Sequence, residues 1–278
     1  MRFGLACLLL LSALDAQQAQ NPSPMVEHTR EHPRLPQESP PGRREKLELG
    51  PLFLPPGAGD GLAVLVFFHG GTWLPELAAA RNGMAAIGVQ AGSGSATYAR
   101  LFENPERFPA MLQEAETRSG IRFGRVLLGG WSAGCGAIRQ ILRSPAAYQR
   151  VDGVLLIDGI HTDYPDGHPG PLESKIGAEN LDVWLQFARD AIAGRKRMLI
   201  THSEIFPGTF ASTTETADYL LKELGVRRVA VLKWGPMGTQ QLSEARQGNF
   251  LLMGFAGNSA PDHVDQLHSL PEYLKLLP

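Results

Sequence analysis

Short runs of branched and aromatic apolar residues recur along the chain and alternate with stretches of helical periodicity. The apolar runs that predict strands are residues 46–49, 52–54, 62–68, 84–89, 126–128, 154–157, 198–200, 229–234 and 250–255. Helical spacing is found at residues 74–81, 103–119, 135–149, 181–193, 212–224 and 261–277. The run at 62–68 is continuously apolar, which is typical of a central strand covered on both faces. Strands that alternate with helices in this way predict an α/β fold, with a mostly parallel central sheet and helices on both of its faces.

The first 45 residues differ in composition from the rest of the chain. Residues 1–2 are a short basic start, residues 3–14 are mostly apolar and residues 16–19 form a small-residue cleavage zone, which predicts a signal peptide over residues 1–19. The apolar run is shorter than the roughly 20 residues that span a bilayer. Residues 20–45 are polar and rich in proline, as in a flexible leader. We therefore expect a secreted or periplasmic protein without a stable membrane anchor, whose folded domain covers residues 46–278.

Composition and charge narrow the range of partners. The chain has 278 residues, of which 43% are hydrophobic and 19% charged, as in an ordinary globular protein. Its formal net charge of −2 gives no electrostatic reason to expect a nucleic acid or an anionic membrane as partner. Of the two cysteines, Cys7 falls in the predicted signal peptide, so only Cys135 remains in the mature chain. No internal disulfide is then possible.

The clearest chemical motif is a serine between two glycines at a predicted strand-to-helix junction. Gly130-Trp131-Ser132-Ala133-Gly134 follows the strand at 126–128 directly and precedes the helical stretch that begins at residue 135. This is the context of a nucleophile elbow, a sharp turn that exposes the serine hydroxyl above the sheet. We therefore predict Ser132 as the nucleophile. A tight glycine turn with a serine of no catalytic role is the alternative interpretation.

A serine hydroxyl is hardly ionised near neutral pH and needs a base within hydrogen-bond distance. His263 lies between the last predicted strand and the terminal helix, and we predict it as that base. His268 is five residues further, about 140° around the helix, and fits a surface or helix-packing role better. For the carboxylate that orients the base, we favour Asp158 at the end of the strand at 154–157. Glu204, which follows a later strand, is the alternative.

The turn that follows the strand at 62–68 reads His69-Gly70-Gly71-Thr72. Glycines there allow the backbone to approach a substrate oxygen, so we predict an oxyanion hole formed by the N–H of Gly71 or Thr72 and the N–H of Ala133. His69 is expected to brace this turn. Trp73 and Trp131 are candidates for a substrate pocket, although large aromatic residues are as often part of a core.

Two loops have compositions that are found in phosphate-binding and metal-binding sites. Residues 92–95 are rich in glycine but lack the lysine of a phosphate-binding loop, so an edge beside a pocket is the better interpretation. His161, Asp163, Asp166 and His168 lie together in one loop, but their spacing matches no zinc pattern. We therefore predict no metal and no cofactor.

The elbow, the His69-Gly70-Gly71 turn and the late His263 together resemble the α/β-hydrolase superfamily, in particular its secreted serine esterases. The resemblance covers about residues 46–278. In that family the nucleophile, the acid and the histidine follow one another along the chain, and Ser132, Asp158 and His263 match this order. The chain departs from the family at the acid, which commonly follows the next strand, where Glu204 stands.

The resemblance implies a serine carboxylesterase that works through an acyl-enzyme. A peptidase of the same fold and a non-catalytic binding protein on this scaffold are alternatives. The loop that ends near residue 180 is polar, whereas a lipase working at an oil surface needs an apolar lid. We therefore expect a small-molecule or carbohydrate-linked ester as substrate.

Overall fold

The computed structural model describes residues 34–167 and 175–278, and within them ten strands form a single sheet. The strands are β1 (Arg43–Lys46), β2 (Pro51–Leu54), β3 (Val64–Phe68), β4 (Ala85–Val89), β5 (Val126–Trp131), β6 (Gly153–Ile157), β7 (Arg197–His202), β8 (Val229–Trp234), β9 (Gln240–Gln247) and β10 (Phe250–Phe255). Their order across the sheet is β1-β2-β4-β3-β5-β6-β7-β10-β9-β8.

The six central strands, from β4 through β3, β5, β6 and β7 to β10, are all parallel. Antiparallel pairs occur only towards the edges, where β1 and β2 lie beside β4, and β9 and β8 lie beside β10. The carboxyl ends of the six parallel strands therefore meet at one edge of the sheet, which is where ligands bind in open α/β sheets. The predicted fold class is confirmed.

Helices connect these strands. They are α1 (Trp73–Arg81), α2 (Ser95–Arg100), α3 (Arg107–Ser119), α4 (Cys135–Leu142), α5 (Pro145–Arg150), α6 (Asp182–Ile192), α7 (Thr213–Leu224), α8 (Ala260–His268) and α9 (Leu270–Leu276). A capping box closes the start of α7. The Ser212 hydroxyl accepts from Glu215 N, and the Glu215 carboxylate accepts from Ser212 N.

Each face of the sheet carries its own apolar core, because side chains alternate between the two faces along a strand. In β3, Val64, Val66 and Phe68 belong to one buried cluster, and Leu65 and Phe67 belong to the other. The first cluster includes residues of α3, α4, α6 and α7, whereas the second includes residues of α1 and α9. A strand buried on both faces explains why residues 62–68 carry no polar position.

The predicted strand at 46–49 is wrong, because the strand lies at Arg43–Lys46. Lys46 is opposite Pro51 in the antiparallel pair of β1 and β2, so residues 47–50 form the turn between the two strands. Leu47 N donates to Gly50 O at 3.2 Å within that turn. The first strand therefore begins three residues before the predicted domain boundary at residue 46.

Several predicted helices are shorter or divided. The stretch at 135–149 is two helices, because Ser144 caps a new helix that has Pro145 in its first turn. The terminal stretch likewise divides at Ser269 into α8 and α9. The sequence prediction also missed α2, which begins in the glycine-rich segment, and β9, whose sequence QQLSEARQ has few apolar residues.

Candidate active site

Ser132 lies in the turn that joins β5 to α4, as the elbow motif predicts. Its backbone has φ of 49°, and residues Ser132–Gly134 form a single 3₁₀ turn before α4 begins. A Cβ atom at Gly134 would lie 2.0 Å from the carbonyl oxygen of Phe68 in β3, and one at Gly130 would lie 2.9 Å from the carbonyl carbon of Gly134. Gly134 is therefore required by the close packing of the elbow against β3, and Gly130 by the close packing within the elbow itself.

Backbone strain is concentrated around this turn. Four non-glycine residues in the described part of the chain have positive φ, and three of them are His69, Ser132 and Asp158. Each of the three follows directly after one of three adjacent parallel strands, β3, β5 and β6. Residues in sparsely populated backbone conformations cluster at functional sites, where the surrounding structure holds them. The three strand ends therefore mark one candidate site on the sheet edge.

Asp158 is buried and its carboxylate is fully engaged. Oδ1 accepts from Ser203 N at 2.9 Å and from the Thr213 hydroxyl at 2.7 Å. Oδ2 accepts from the Ser203 hydroxyl at 2.7 Å and lies 2.7 Å from His263 Nδ1. Burial by itself raises the pKa of Asp158, but these hydrogen bonds and the charge of His263 outweigh it and hold the pKa well below its ordinary value. Asp158 is therefore a carboxylate at neutral pH.

His263 lies in the first turn of α8, within the predicted helical stretch at 261–277 and not in the segment between the last strand and that helix. The helix begins earlier because Ser259 and Asp262 form a capping box ahead of the imidazole. Since the Asp158 carboxylate accepts from Nδ1–H, the neutral ring has its lone pair on Nε2. His263 lines the same cavity as Ser132.

Trp131 contacts His263 through both its indole N–H and its ring. Its indole N–H donates to the His263 carbonyl oxygen at 3.0 Å, and the two ring centroids lie 4.5 Å apart. The indole also stacks on His69, with centroids 5.0 Å apart and an angle of 14° between the rings. His69 Nδ1 lies 3.0 Å from the Tyr98 hydroxyl, so His69 is a brace at the end of β3.

Glu204, the alternative acid, makes a different contact. Its Oε2 accepts from Gly257 N at 3.4 Å, and its backbone N–H donates to Gly257 O at 2.8 Å. Within residues 34–167 and 175–278, the hydrogen bond and ion pair of His263 Nδ1 are with Asp158 and not with Glu204. The structure thus brings Asp158, and not Glu204, to the histidine.

The backbone amides of the His69-Gly70-Gly71-Thr72 turn are already partly occupied. With its carboxamide turned so that the oxygen faces these amides, Gln90 accepts from Gly71 N at 2.9 Å and from Gly70 N at 3.2 Å. Thr72 is the N-cap of α1, and Ala133 lies in the helical turn that begins at Ser132. Amides at such positions have no acceptor within their own helix. Of the predicted oxyanion-hole donors, Gly71 N is engaged by Gln90, which leaves the N–H groups of Thr72 and Ala133 as the candidates.

Two cavities adjoin Ser132. The first, of about 240 Å³, is lined by Ser132, Asp158, His161, Ile205, Pro207, Phe210, Thr213 and His263. The second, of about 560 Å³, is lined by residues that include His69, Ser93, Ser95, Ala133, Arg139, Asp163 and Asn180. Ser132, His161 and Phe210 border both cavities. The predicted pocket edge at residues 92–95 thus lies on the second cavity.

Comparison with known proteins gives structural likeness without close sequence relatives. No family model and no curated protein matches the chain. It is similar to the poly(3-hydroxybutyrate) depolymerase LpqC from Bordetella parapertussis, with 15% identity, a TM-score of 0.45 and coverage of 85% of this chain and 91% of that one. It is also similar to an acetyl xylan esterase from Aspergillus awamori, with 12% identity, a TM-score of 0.46 and coverage of 80% and 93%. A third is the esterase Est2 from Thermogutta terrifontis, with 14% identity, a TM-score of 0.47 and coverage of 91% and 95%.

The fold can be assigned from the sheet, the elbow and the chain order of this protein itself. Ser132 occupies a strand-to-helix elbow above a mostly parallel sheet, and Asp158 and His263 follow it in the chain order typical of one fold family. The chain has an α/β-hydrolase fold.

The two tryptophans that were predicted to contact substrate in this α/β-hydrolase fold lie away from the cavities beside Ser132. Neither Trp73 nor Trp131 is among the residues that line the two cavities beside Ser132. Trp131 is packed between His69 and His263, and Trp73 makes an edge contact with His268 at a centroid distance of 5.6 Å. Cys135, next to the elbow, is buried, and burial raises the pKa of its thiol.

The loop that was considered for a metal contributes a histidine to the site instead. His161 borders both cavities, its Nδ1 is buried without a hydrogen-bond partner, and its ring meets Phe210 edge-on at 5.1 Å. No group of three or more metal-ligating side chains exists in the portion of the chain that the structure describes, and His168 lies outside it. The same portion contains no helix that is both long and apolar enough to cross a membrane.

His161 yields a prediction about pH. Burial lowers its pKa to about 4 from 6.5; the charge of Asp158 acts in the opposite direction, and His263 and Arg139 add smaller lowering effects. As pH falls below 6.5, the unfolded chain binds a proton at this residue before the folded protein does, so acid destabilises the fold. The quantity to compare is the free energy of unfolding of the wild type and of His161→Gln at each pH. The wild-type value minus the variant value should be constant above pH 7. It should fall by up to about 1.4 kcal/mol per pH unit between pH 6.5 and 4.

Urea unfolding of both proteins at several pH values between 4 and 8 measures this difference. Titrations of all other groups are shared by the two proteins and largely cancel. A difference that stays the same from pH 7 to pH 4 would show that the folded protein binds the proton as readily as the unfolded chain does.

Proposed function

We propose that this protein is a serine hydrolase that cleaves carboxylic esters through an acyl-enzyme, with Ser132 as nucleophile, His263 as base and Asp158 as the orienting acid. One observation carries the proposal. A buried carboxylate lies 2.7 Å from His263 Nδ1, and the imidazole borders the same cavity as a serine held in a nucleophile elbow. Nucleophile, base and orienting group in this arrangement are the requirement for an activated serine.

In the first half of the reaction, the Ser132 oxygen attacks the ester carbonyl carbon while its proton passes to His263 Nε2. The imidazolium that forms is stabilised by Asp158, which keeps its negative charge because three hydrogen-bond donors besides the histidine hold it ionised. The tetrahedral intermediate then collapses. His263 gives the proton to the departing alkoxide, and the acyl group remains on Ser132.

The negative charge on the carbonyl oxygen needs donors that are in place before the reaction starts. The N–H groups of Thr72 and Ala133 are proposed to serve, because Gly71 N is engaged by Gln90. Loss of one such donor costs about 2.7–4 kcal/mol of transition-state stabilisation in a studied enzyme. In the second half, water attacks the acyl-enzyme with His263 again as base, which releases the acid and restores Ser132.

The proposed setting is outside the cytoplasm. The N-terminal pattern of a basic start, an apolar run and small residues supports export by a signal peptide, although residues 1–33 lie outside the described part of the chain. We propose a small-molecule or carbohydrate-linked ester as substrate, without a nucleic acid partner. The net charge of −2 and the polar side chains that border the larger cavity, among them Ser93, Ser95 and Asn180, support this choice.

A fluorophosphonate probe tests the nucleophile. It should label the wild-type protein covalently, and Ser132→Ala should abolish labelling because the reacting oxygen is gone. Ser39→Ala, at an exposed serine far along the chain from the elbow, should label like the wild type. Folded wild type that does not label, or Ser132→Ala that does, would refute the proposal and would favour a binding protein on this scaffold.

The acid is tested by comparing Asp158→Asn with Glu204→Gln for turnover of p-nitrophenyl acetate. Asp158→Asn should lower kcat by about 10⁴-fold, as in the serine protease whose triad aspartate was replaced, because the amide favours the wrong imidazole tautomer. Glu204→Gln should lower kcat by less than about threefold, because among the described residues its carboxylate accepts a hydrogen bond from Gly257 N and from no group of the proposed triad. A severe loss confined to Glu204→Gln would contradict the assignment of Asp158.

A further inference from the structure

The two cavities beside Ser132 differ in their chemistry. Apart from the residues of the proposed triad, the first is mainly bordered by Ile205, Pro207 and Phe210. The second is more than twice as large, and its lining includes the hydroxyls of Ser93 and Ser95 and the guanidinium-bearing Arg139. An ester has two halves on either side of its reacting carbon, and the site offers each half a separate and different space.

Arg139 is the unusual group in the second cavity. It lies on α4, two helical turns after Ser132, and is partly buried. Within residues 34–167 and 175–278, its guanidinium takes part in no hydrogen bond and in no ion pair within 4.0 Å. Burial and the nearby Arg143 lower its pKa, but arginine stays protonated at neutral pH. A partly desolvated cation without a partner is costly, which points to an anion that joins it.

Asp163 is the only acidic side chain that also borders the second cavity within the described chain. It is exposed, and its charge acts on Arg139 at a distance greater than that of an ion pair. The guanidinium therefore keeps its hydrogen-bond donors for a ligand. Its planar fork matches a carboxylate, to which it donates two parallel hydrogen bonds.

The position of the proposed base decides which half of the ester enters which cavity. The departing alkoxide takes its proton from His263, so the alcohol half lies on the side of that imidazole, and His263 borders only the first cavity. Ala133, whose N–H is proposed to hold the carbonyl oxygen, borders the second. The acyl half therefore extends along the second cavity towards Arg139.

From these observations, and resting on the proposed esterase function, we propose that the substrate is an ester of an apolar alcohol with an acid whose far end carries a carboxylate bound by Arg139. The first cavity, at about 240 Å³, has room for an alkyl or aryl group, and Ile205, Pro207 and Phe210 offer that group an apolar border. Seven residues of helix span about 10 Å, which sets the scale of the acyl chain between the serine and the guanidinium.

The test uses matched esters. Monoethyl succinate, glutarate and adipate carry the carboxylate on the acyl half, and the ethyl esters of butanoic, pentanoic and hexanoic acid are their neutral counterparts. A third kind of ester, represented by 4-acetoxybutanoate, carries the carboxylate on the alcohol half. For the best chain length, the wild type should show a kcat/KM at least about 10-fold higher for the anionic acyl ester than for its neutral counterpart. The reversed ester should be the poorest substrate.

Two variants and one control assign the preference to the guanidinium. Arg139→Gln should lower the ratio of anionic to neutral kcat/KM by about 10-fold to 100-fold, mainly through KM. Asp163→Asn should raise the ratio, because a negative charge beside the bound carboxylate is removed. Arg118→Gln is the matched control, since this arginine is exposed in the last turn of α3 and borders neither cavity, and it should leave the ratio unchanged.

The outcomes separate this inference from the proposed function. Wild type that labels with fluorophosphonate and hydrolyses neutral esters, but shows no preference for the anionic ones, overturns the Arg139 subsite and leaves the serine esterase in place. A preference that survives Arg139→Gln, or one for the reversed ester, also overturns it. Wild type that neither labels nor hydrolyses any of the esters overturns both proposals.

Discussion

The buried Asp158 carboxylate is the interaction on which the candidate site depends. It follows β6 and receives hydrogen bonds from Ser203 after β7, from Thr213 at the start of α7 and from His263 in the first turn of α8. Burying a carboxylate without these partners would destabilise the fold by several kcal/mol. The folded state therefore holds three separate segments of the chain against this one side chain. The same contacts fix the position of the imidazole, its tautomer and the ionised state of the acid.

Around that carboxylate, the sheet supplies the geometry and the packing holds the strain. His69, Ser132 and Asp158 each have positive φ directly after adjacent parallel strands. Gly130 and Gly134 admit the neighbouring backbone at distances that no side chain would allow. Trp131 then fills the space between His69 and His263, so a residue first considered for substrate contact supports the site from within.

The sequence was sufficient for the features that depend on local pattern. Apolar periodicity predicted the parallel strands and most helices, and the flanking glycines identified the elbow at Ser132. It was insufficient where long-range packing decides. Asp158 and Glu204 both follow strands, and only the fold shows which of them reaches His263. No local sequence pattern predicted that Gln90 binds the glycine turn or that Thr213 binds Asp158. Ser203 and Thr213 do lie at a strand end and a helix start beside the same sheet edge.

The central claim is that a serine, an imidazole and two backbone amides act on one carbonyl at this edge of the sheet. A crystal structure of the protein after reaction with a fluorophosphonate tests it most directly. We expect phosphorus bonded to the Ser132 oxygen, the phosphoryl oxygen within about 3.1 Å of the N–H groups of Thr72 and Ala133, and His263 Nε2 within hydrogen-bond distance of the Ser132 oxygen. An adduct on another residue, or a phosphoryl oxygen directed into solvent away from both amides, would contradict the account.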